Sequence, residues 1–433
     1  MKQLFFPFKR FSIFLAVLFL LGAVLFPIMA KADHTVVIVI DPGHGGKNLG
    51  AQYEGLTEKE MTMITAKAMK EELEKYEGVV VYLTHEGDEN MSIKDRALFA
   101  KERDADFLFC LHYNMSEQHT LFGSEVWVPA QGEYYAKGFS FAQIQMKEFT
   151  DIGLYSRGIK TRLNDRDEDY YGILRYCTQE SIPCALIEHC HLDHPNDKPF
   201  YQQGEEQLKE FGRMDATAAA KYFGLKSYEL DVDYSGFPVP ETKVPADIVR
   251  PDKTEPDLCR MEVTKIDEET GQATVRMEAL DKDSYILYYN YSLDGGNTFT
   301  MPEEWPRPDA WNQSAREHTF TIILPFDQSV TLVAGACNGY DVWAQSRPVS
   351  IEPVPDPARL REEERLAQEK ALREAQKQYQ EITYEDPAGQ EESNGKSNWI
   401  FPALLGVIFL CIIFVSFFMA RAISSLLKGN KKR

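Results

Sequence analysis

The sequence predicts an α/β domain with a mostly parallel or mixed sheet flanked by helices, followed by a β-sandwich domain, a charged helical stalk and one transmembrane helix. Three observations predict it. Between residues 33 and 225, apolar runs alternate with stretches of helical spacing, the pattern of a sheet covered by helices. Between 257 and 354 the apolar runs become short and are separated by turn signals, as in a sandwich. Residues 399–420, WIFPALLGVIFLCIIFVSFFMA, form an apolar run long enough for one bilayer crossing.

Taken in order, residues 1–32 read as a signal peptide: basic MKQLFFPFKR, apolar FSIFLAVLFLLGAVLF, then AKA as a small-x-small cleavage site. In the 33–225 domain the expected strands are TVVIVI (35–40), VVVYLT (79–84), FLFCLH (107–112), SEVWVP (124–129) and CALIEH (184–189). The first three are almost continuously apolar, as strands covered on both faces should be. Met61, Ile64, Ala68 and Leu73 give the stretch between the first two a helical spacing, with Thr57 and Glu60 as a capping box at its start. Residues 226–256 lose periodicity and gain Pro and acidic residues, which reads as a linker.

In the 257–354 sandwich the strands are MEVTKI, ATVRMEA, YILYYNYS, HTFTIIL and SVTLVAGA, with LDGGNTF as a hairpin turn. Tyr285, Leu287, Tyr289 and Tyr291 alternate along one strand; they read as sandwich core, or as a glycan platform if they face solvent. Residues 355–398 are a charged stalk and linker, rich in Glu, Arg, Ala and Gln with i,i+4 pairs such as Glu369–Arg373 and without a sustained heptad. After the transmembrane run, residues 421–433 carry five basic residues and no acid, which assigns them to the cytoplasm and the bulk of the chain to the outside.

That external part is acidic. Without the four basic residues of the leader and the five of the tail, 38 Lys and Arg face 67 Asp and Glu, a net charge of −29. This argues against nucleic acid and anionic lipid surfaces as partners. The seven Cys show no CxxC pairs and no dense spacing, so no disulfide framework is implied; Cys259 and Cys337 are the pair left open.

Asp41, Pro42, Gly43 and His44 follow the first strand, His112 ends the third, and Glu188 closes CALIE. Strand C-termini share one edge of a parallel sheet, which is where α/β proteins bind ligands. Glu58, in the first turn of the helix after the His44 loop, joins that edge. Singly, each residue has an ordinary structural explanation: a satisfied polar His at a strand end, or a Glu favoured by a helix dipole. Converging, two His and one carboxylate are ligands that suit zinc, with a fourth position open for water. A further carboxylate is then placed to take a proton and pass it to a leaving nitrogen. The residues alone indicate zinc-assisted amide hydrolysis.

The blocks DPGHGGKNLGA, GLTEKE, RALFAKERDADFLFCLHYN, GSEVWV and SRGIKTRLNDRDEDYYGILRYCTQESIPCALIE occur in this order over residues 35 to about 222. Together they resemble the zinc-dependent N-acetylmuramoyl-L-alanine amidases of the Amidase_3 type, bacterial peptidoglycan hydrolases. The resemblance implies that 33–225 is a zinc amidase catalytic domain. It also implies that His44, Glu58 and His112 are the ligands of a Zn²⁺ and Glu188 the catalytic carboxylate, with cell-wall glycopeptide as the partner. The bond cut would be the amide between the lactyl group of N-acetylmuramic acid and L-alanine of the stem peptide. The sequence departs from the family pattern at Asn48, His85 and Cys110, where Asp, Arg and Ser are usual, and at HCHLDHPND after Glu188. His189, Cys190, His191 and His194 there read as a polar rim loop, with a second metal site as the alternative. Two other functions stay open: a zinc peptidase acting within the stem peptide, and an inert wall-binding or regulatory module. The expected location is the bacterial cell surface, with the membrane engaged through the C-terminal helix.

Overall fold

The computed structural model describes residues 34–384, apart from 308–311. The expected signal peptide, the transmembrane run, the basic tail and the end of the stalk lie outside the described residues. Among those described, no helix is long and apolar enough to cross a membrane.

The first domain is a six-stranded mixed sheet between two layers of helices. Its elements are β1 (Val36–Pro42), a small hairpin of β2 (Gln52–Tyr53) and β3 (Leu56–Thr57), α1 (Glu58–Leu73), β4 (Val79–Leu83), α2 (Ile93–Lys101), β5 (Phe107–Asn114), β6 (Ser124–Trp127), α3 (Gly132–Asp151), β7 (Ser156–Lys160), α4 (Gly172–Gln179), β8 (Cys184–His191) and α5 (Glu205–Phe223). The strand order is β4-β1-β5-β8-β6-β7, parallel throughout except where β6 meets β8.

Apolar residues of β1, β5 and β8 point to both faces and are buried on both. Ile38, Ile40, Phe107 and Phe109 pack under α1, α3 and α5, while Val39, Leu108 and Leu186 pack under α2 and α4. Helices α1 and α5 cross closely because Gly212 has no side chain; a Cβ there would lie 2.3 Å from the Thr65 carbonyl. The helix α1 begins at the expected place but without the expected cap. Thr57 is extended in β3 and makes no side-chain cap, and the free amides of Glu58 and Lys59 instead donate to the carbonyls of Ala51 and Leu49. The loop folded over the helix start reaches those donors first.

The stretch read as a linker is held against the domain. It begins with a hairpin, β9 (Lys226–Ser227) and β10 (Val232–Asp233), whose Leu230, Val232, Tyr234 and Phe237 cover the helical layer. Further on, the Val249 amide donates to the Ala130 carbonyl and the Val249 carbonyl accepts from Thr161 Oγ1. Aperiodic apolar residues suffice to pin a chain that carries no regular pattern.

The second region is a β-sandwich. One sheet orders β11 (Leu258–Ile266), β12 (Gln272–Leu280) and β15 (Glu317–Ile323). The other orders β14 (Glu303–Glu304), β13 (Ile286–Ser292), β16 (Val330–Asn338) and β17 (Trp343–Gln345), with β18 (Val349–Ile351) also on β16. Alternation along β12 explains the packing: Ala273, Val275 and Met277 enter the core while Thr274, Arg276 and Glu278 face out. Cys259 and Cys337 are free thiols. Residues Pro357–Tyr384 form a separate helix, α6, about 42 Å long at 1.5 Å per residue.

The aromatic strand β13 is buried on both sides, so it offers no solvent-facing glycan platform. Tyr289 lies in the sandwich core, whereas Tyr285, Leu287 and Tyr288 pack against Phe122 and Tyr155 of the first domain. Sandwich side chains also satisfy the open edge of β7, where unpaired backbone groups would otherwise face water or another chain. Asn312 donates to the carbonyl of Ile159 at 3.0 Å and accepts its amide at 2.9 Å. Tyr285 Oη donates to the Arg157 carbonyl, and the Tyr340 hydroxyl accepts from the Thr161 amide. Gly158, at φ +92°, sits where any Cβ would collide with the Tyr285 hydroxyl.

Candidate active site

His44 lies in the loop after β1, with φ at +70°, an uncommon conformation for a residue with a side chain. The loop is tied down from behind. Arg96 of α2 donates to Asp41 Oδ1 at 2.8 Å, to the Pro42 carbonyl at 2.7 Å and to the His44 carbonyl, while Thr62 Oγ1 donates to the Gly43 carbonyl. Asp41 is further fixed by Thr84 and by the Cys110 thiol, so this Cys fills the usual Ser position with a weaker donor. Asn48 Oδ1 lies 3.0 Å from His44 Nδ1 and holds the ring with Nε2 turned to the site. Gly43 leaves room for the His112 ring; a Cβ there would come within 2.5 Å of it.

Glu58 is the first residue of α1, buried, and its two oxygens face the two histidines. His44 Nε2 is 2.9 Å from Oε2, and His112 Nδ1 is 2.9 Å from Oε1. The amides of Ala51 and Tyr113 donate to the same carboxylate. One donor atom from each of His44, Glu58 and His112 lies within 4.8 Å of the others. Tetrahedral zinc with bonds of about 2.1 Å separates its ligand atoms by about 3.4 Å, so small shifts bring this set around one ion. His44 Nε2 is buried without a hydrogen-bond partner among the described residues, although it is close to Glu58. With Asn48 Oδ1 taking the Nδ1 proton, the Nε2 lone pair faces a carboxylate oxygen at 2.9 Å, an approach that a shared cation relieves.

Burial alone would raise the Glu58 carboxyl, but the hydrogen bond from His112 and the close approach of His44 outweigh it and hold the group well below the usual carboxylate range. His44 is lowered by burial and raised more by its contacts with Glu58, for a net rise.

Glu188 reaches the same cavity from β8, directly opposite His112 in the strand register. It is 8% exposed, and its Oε2 is the second buried atom of the site without a partner among the described residues. Burial pushes its carboxyl well up, the charges of Glu58 and Glu125 push the same way, and Arg157 opposes them. A divalent cation beside it would act with Arg157. The cavity over the four residues holds about 570 Å³, within the range of ligand sites.

All four residues expected from the sequence are therefore brought together. The histidines after Glu188 are not. His189 points inward, its Nε2 2.8 Å from Asp215 Oδ2 and its Nδ1 2.9 Å from the His112 carbonyl, so it braces the strand behind the site. His191 faces the Gly123 carbonyl and His194 stacks on Phe122. Among the described residues, the one grouping of metal-ligating type is His44, Glu58 and His112.

Sequence reasoning missed Glu125. It sits opposite Glu188 on β6, fully buried, and takes Arg157 Nε at 2.9 Å, Lys160 Nζ at 2.7 Å and Asn114 Nδ2 at 2.9 Å. A lone carboxylate inside the apolar run SEVWV was the available signal.

Residues 38–214 match the Amidase_3 family of N-acetylmuramoyl-L-alanine amidases. The sporulation-specific N-acetylmuramoyl-L-alanine amidase of Bacillus subtilis (strain 168) is 34% identical over 194 residues, which cover 44% of this chain and 69% of that protein. The chain belongs to the Amidase_3 family. The amidase CwlM of Bacillus licheniformis is 31% identical over 192 residues, 44% of this chain and 70% of the relative. LytC of Bacillus subtilis (strain 168) is 27% identical over 191 residues, but the chain spans only 35% of its length. The Amidase_3 match contains His44, Glu58, His112 and Glu188 and ends before the sandwich.

Proposed function

We propose that the protein is a cell-surface N-acetylmuramoyl-L-alanine amidase, cutting the amide between the lactyl group of N-acetylmuramic acid and L-alanine of the stem peptide. Membership of the amidase family supports the bond, and one observation supports the chemistry. His44, Glu58, His112 and Glu188 converge on one cavity, where His44 Nε2 faces Glu58 and Glu188 Oε2 has no hydrogen-bond partner among the described residues.

His44, Glu58 and His112 would hold one Zn²⁺. Bound there, it supplies Lewis acidity to the scissile carbonyl and to a water beside it. Asn48 fixes the His44 ring, and the Ala51 and Tyr113 amides fix the Glu58 carboxylate, so the donors keep their orientation. Glu188 accepts the proton of the attacking water and returns it to the leaving nitrogen. Its burial keeps bulk water from competing for that proton. The leader at 1–32 and the apolar run at 399–420 support export and anchoring by a single C-terminal helix, with α6 as the stalk.

Digestion of purified peptidoglycan followed by mass analysis tests the reading. Stem peptides with free L-alanine amines and intact lactyl-bearing glycan are expected. Peptide fragments cut within the stem would assign a peptidase instead, and no product with zinc supplied would assign an inert module.

A further inference from the structure

Beyond Tyr171 the catalytic cavity opens into a second cleft of about 720 Å³, and the two share Asn114, Met115 and Tyr171. Its floor is Trp127 with the buried Glu125, Arg157 and Lys160; its far wall is the 340–342 turn of the sandwich with residues 251–253. The wall is fixed in place. Asn338 Oδ1 accepts the amides of Tyr340 and Val342, and Asp341 accepts from Arg157 Nη2 at 2.9 Å. The floor charges are all partnered, but the Trp127 indole N–H is buried without an acceptor among the described residues.

What would lie there rests on the amidase reading. A cavity near 570 Å³ holds one fragment of about drug size, whereas peptidoglycan continues past the cut amide along both its glycan and its peptide. The peptide arm carries free carboxylates; the glycan arm is neutral, with hydroxyl and acetamido groups. Five carboxylates and four cations line the second cleft, inside a strongly acidic chain, so an anionic arm gains no net attraction. The rings of Tyr170, Tyr171 and Tyr340 instead offer apolar faces with polar neighbours such as Asn164.

We propose that this cleft is a glycan subsite shared by the two domains, in which the 340–342 turn and Tyr171 grip the sugar chain beside the muramic acid whose amide is cut. The sandwich is then part of the substrate groove.

Val342→Trp tests this, since Val342 is half-buried on the far wall and belongs neither to the metal cluster nor to the ion cluster. Three substrates are compared on the full-length protein: N-acetylmuramoyl-dipeptide, a peptidoglycan tetrasaccharide bearing the same dipeptide, and N-acetylmuramoyl-pentapeptide. The wild type should show the lowest KM for the tetrasaccharide. Val342→Trp should raise that KM about tenfold, the worth of a lost ring contact, and leave both single-sugar substrates unchanged. Lys253→Trp, on the exposed lip, should give the same pattern and stands in if Val342→Trp melts early. Equal behaviour of all three substrates in both proteins, or a loss confined to the pentapeptide, overturns the subsite. A wild type that cuts none of the three rejects the amidase reading, and the subsite with it.

Discussion

Two charged clusters sit back to back in this protein, and they are built to opposite rules. In the first, His44, Glu58, His112 and Glu188 share a cavity in which His44 Nε2 and Glu188 Oε2 make no hydrogen bond among the described residues. In the second, Glu125, Arg157, Lys160 and Asp341 satisfy one another, with Asn114 and Tyr288 filling the remaining contacts. Opposed carboxylates and cations make the second cluster neutral, and it joins the two domains. The difference teaches where function resides. Folding normally pairs every buried charge, so a cluster left incomplete is waiting for something the chain does not supply. A complete one is structure.

The comparison can be broken by removing one member from each. His112→Ala should abolish amidase turnover and strip the metal, while costing only about 1–2 kcal/mol against the metal-free wild type, because Glu58 keeps the Ala51 and Tyr113 amides and His44. Arg157→Ala should do the reverse. It leaves the buried Glu125 with Lys160 as its one remaining cation and should cost about 3–5 kcal/mol by denaturant unfolding, with metal content kept in the folded fraction. If His112→Ala unfolds the protein or Arg157→Ala leaves its stability unchanged, the two clusters do not divide in this way.

A smaller effect sharpens the contrast at the rim. Asp197 accepts the amides of Gly123 and His191, yet burial pushes its carboxyl up to about 7. The folded state therefore keeps a proton that the unfolded chain releases near pH 4, and stability falls as pH rises from about 4 to 7. Asp197→Asn lacks this titration. Its melting temperature should gain on the wild type across that window; a constant difference would show that Asp197 is already ionised in the fold.

What could be read from the residues follows the same division. VVIVIDPGHGG and CALIE are legible because an apolar strand ending in His or Glu has few structural reasons to do so, and Glu58 follows from a helix that must start beside the His44 loop. The strand β7 was not legible. SRGIK carries two cations and a glycine and resembles a loop, and it is a strand only because Glu125 neutralises the cations and the sandwich covers its edge. The tyrosines of β13 posed the same difficulty. Their alternation marks a strand, but that one side is sandwich core and the other a domain seam depends on contacts more than a hundred residues away. The capping box at Thr57 matched a local pattern that a nearer set of carbonyls displaced.

The most direct test of the central claim, that three residues hold the metal and a fourth moves the proton, is zinc content measured alongside turnover in Glu188→Gln. Gln keeps the size of the side chain but cannot accept the proton. The account predicts about one zinc per chain, as in the wild type, with turnover reduced about 10²–10⁴-fold. Loss of the zinc would make Glu188 a ligand, and unchanged turnover would give the proton transfer to another group; either result contradicts the assignment.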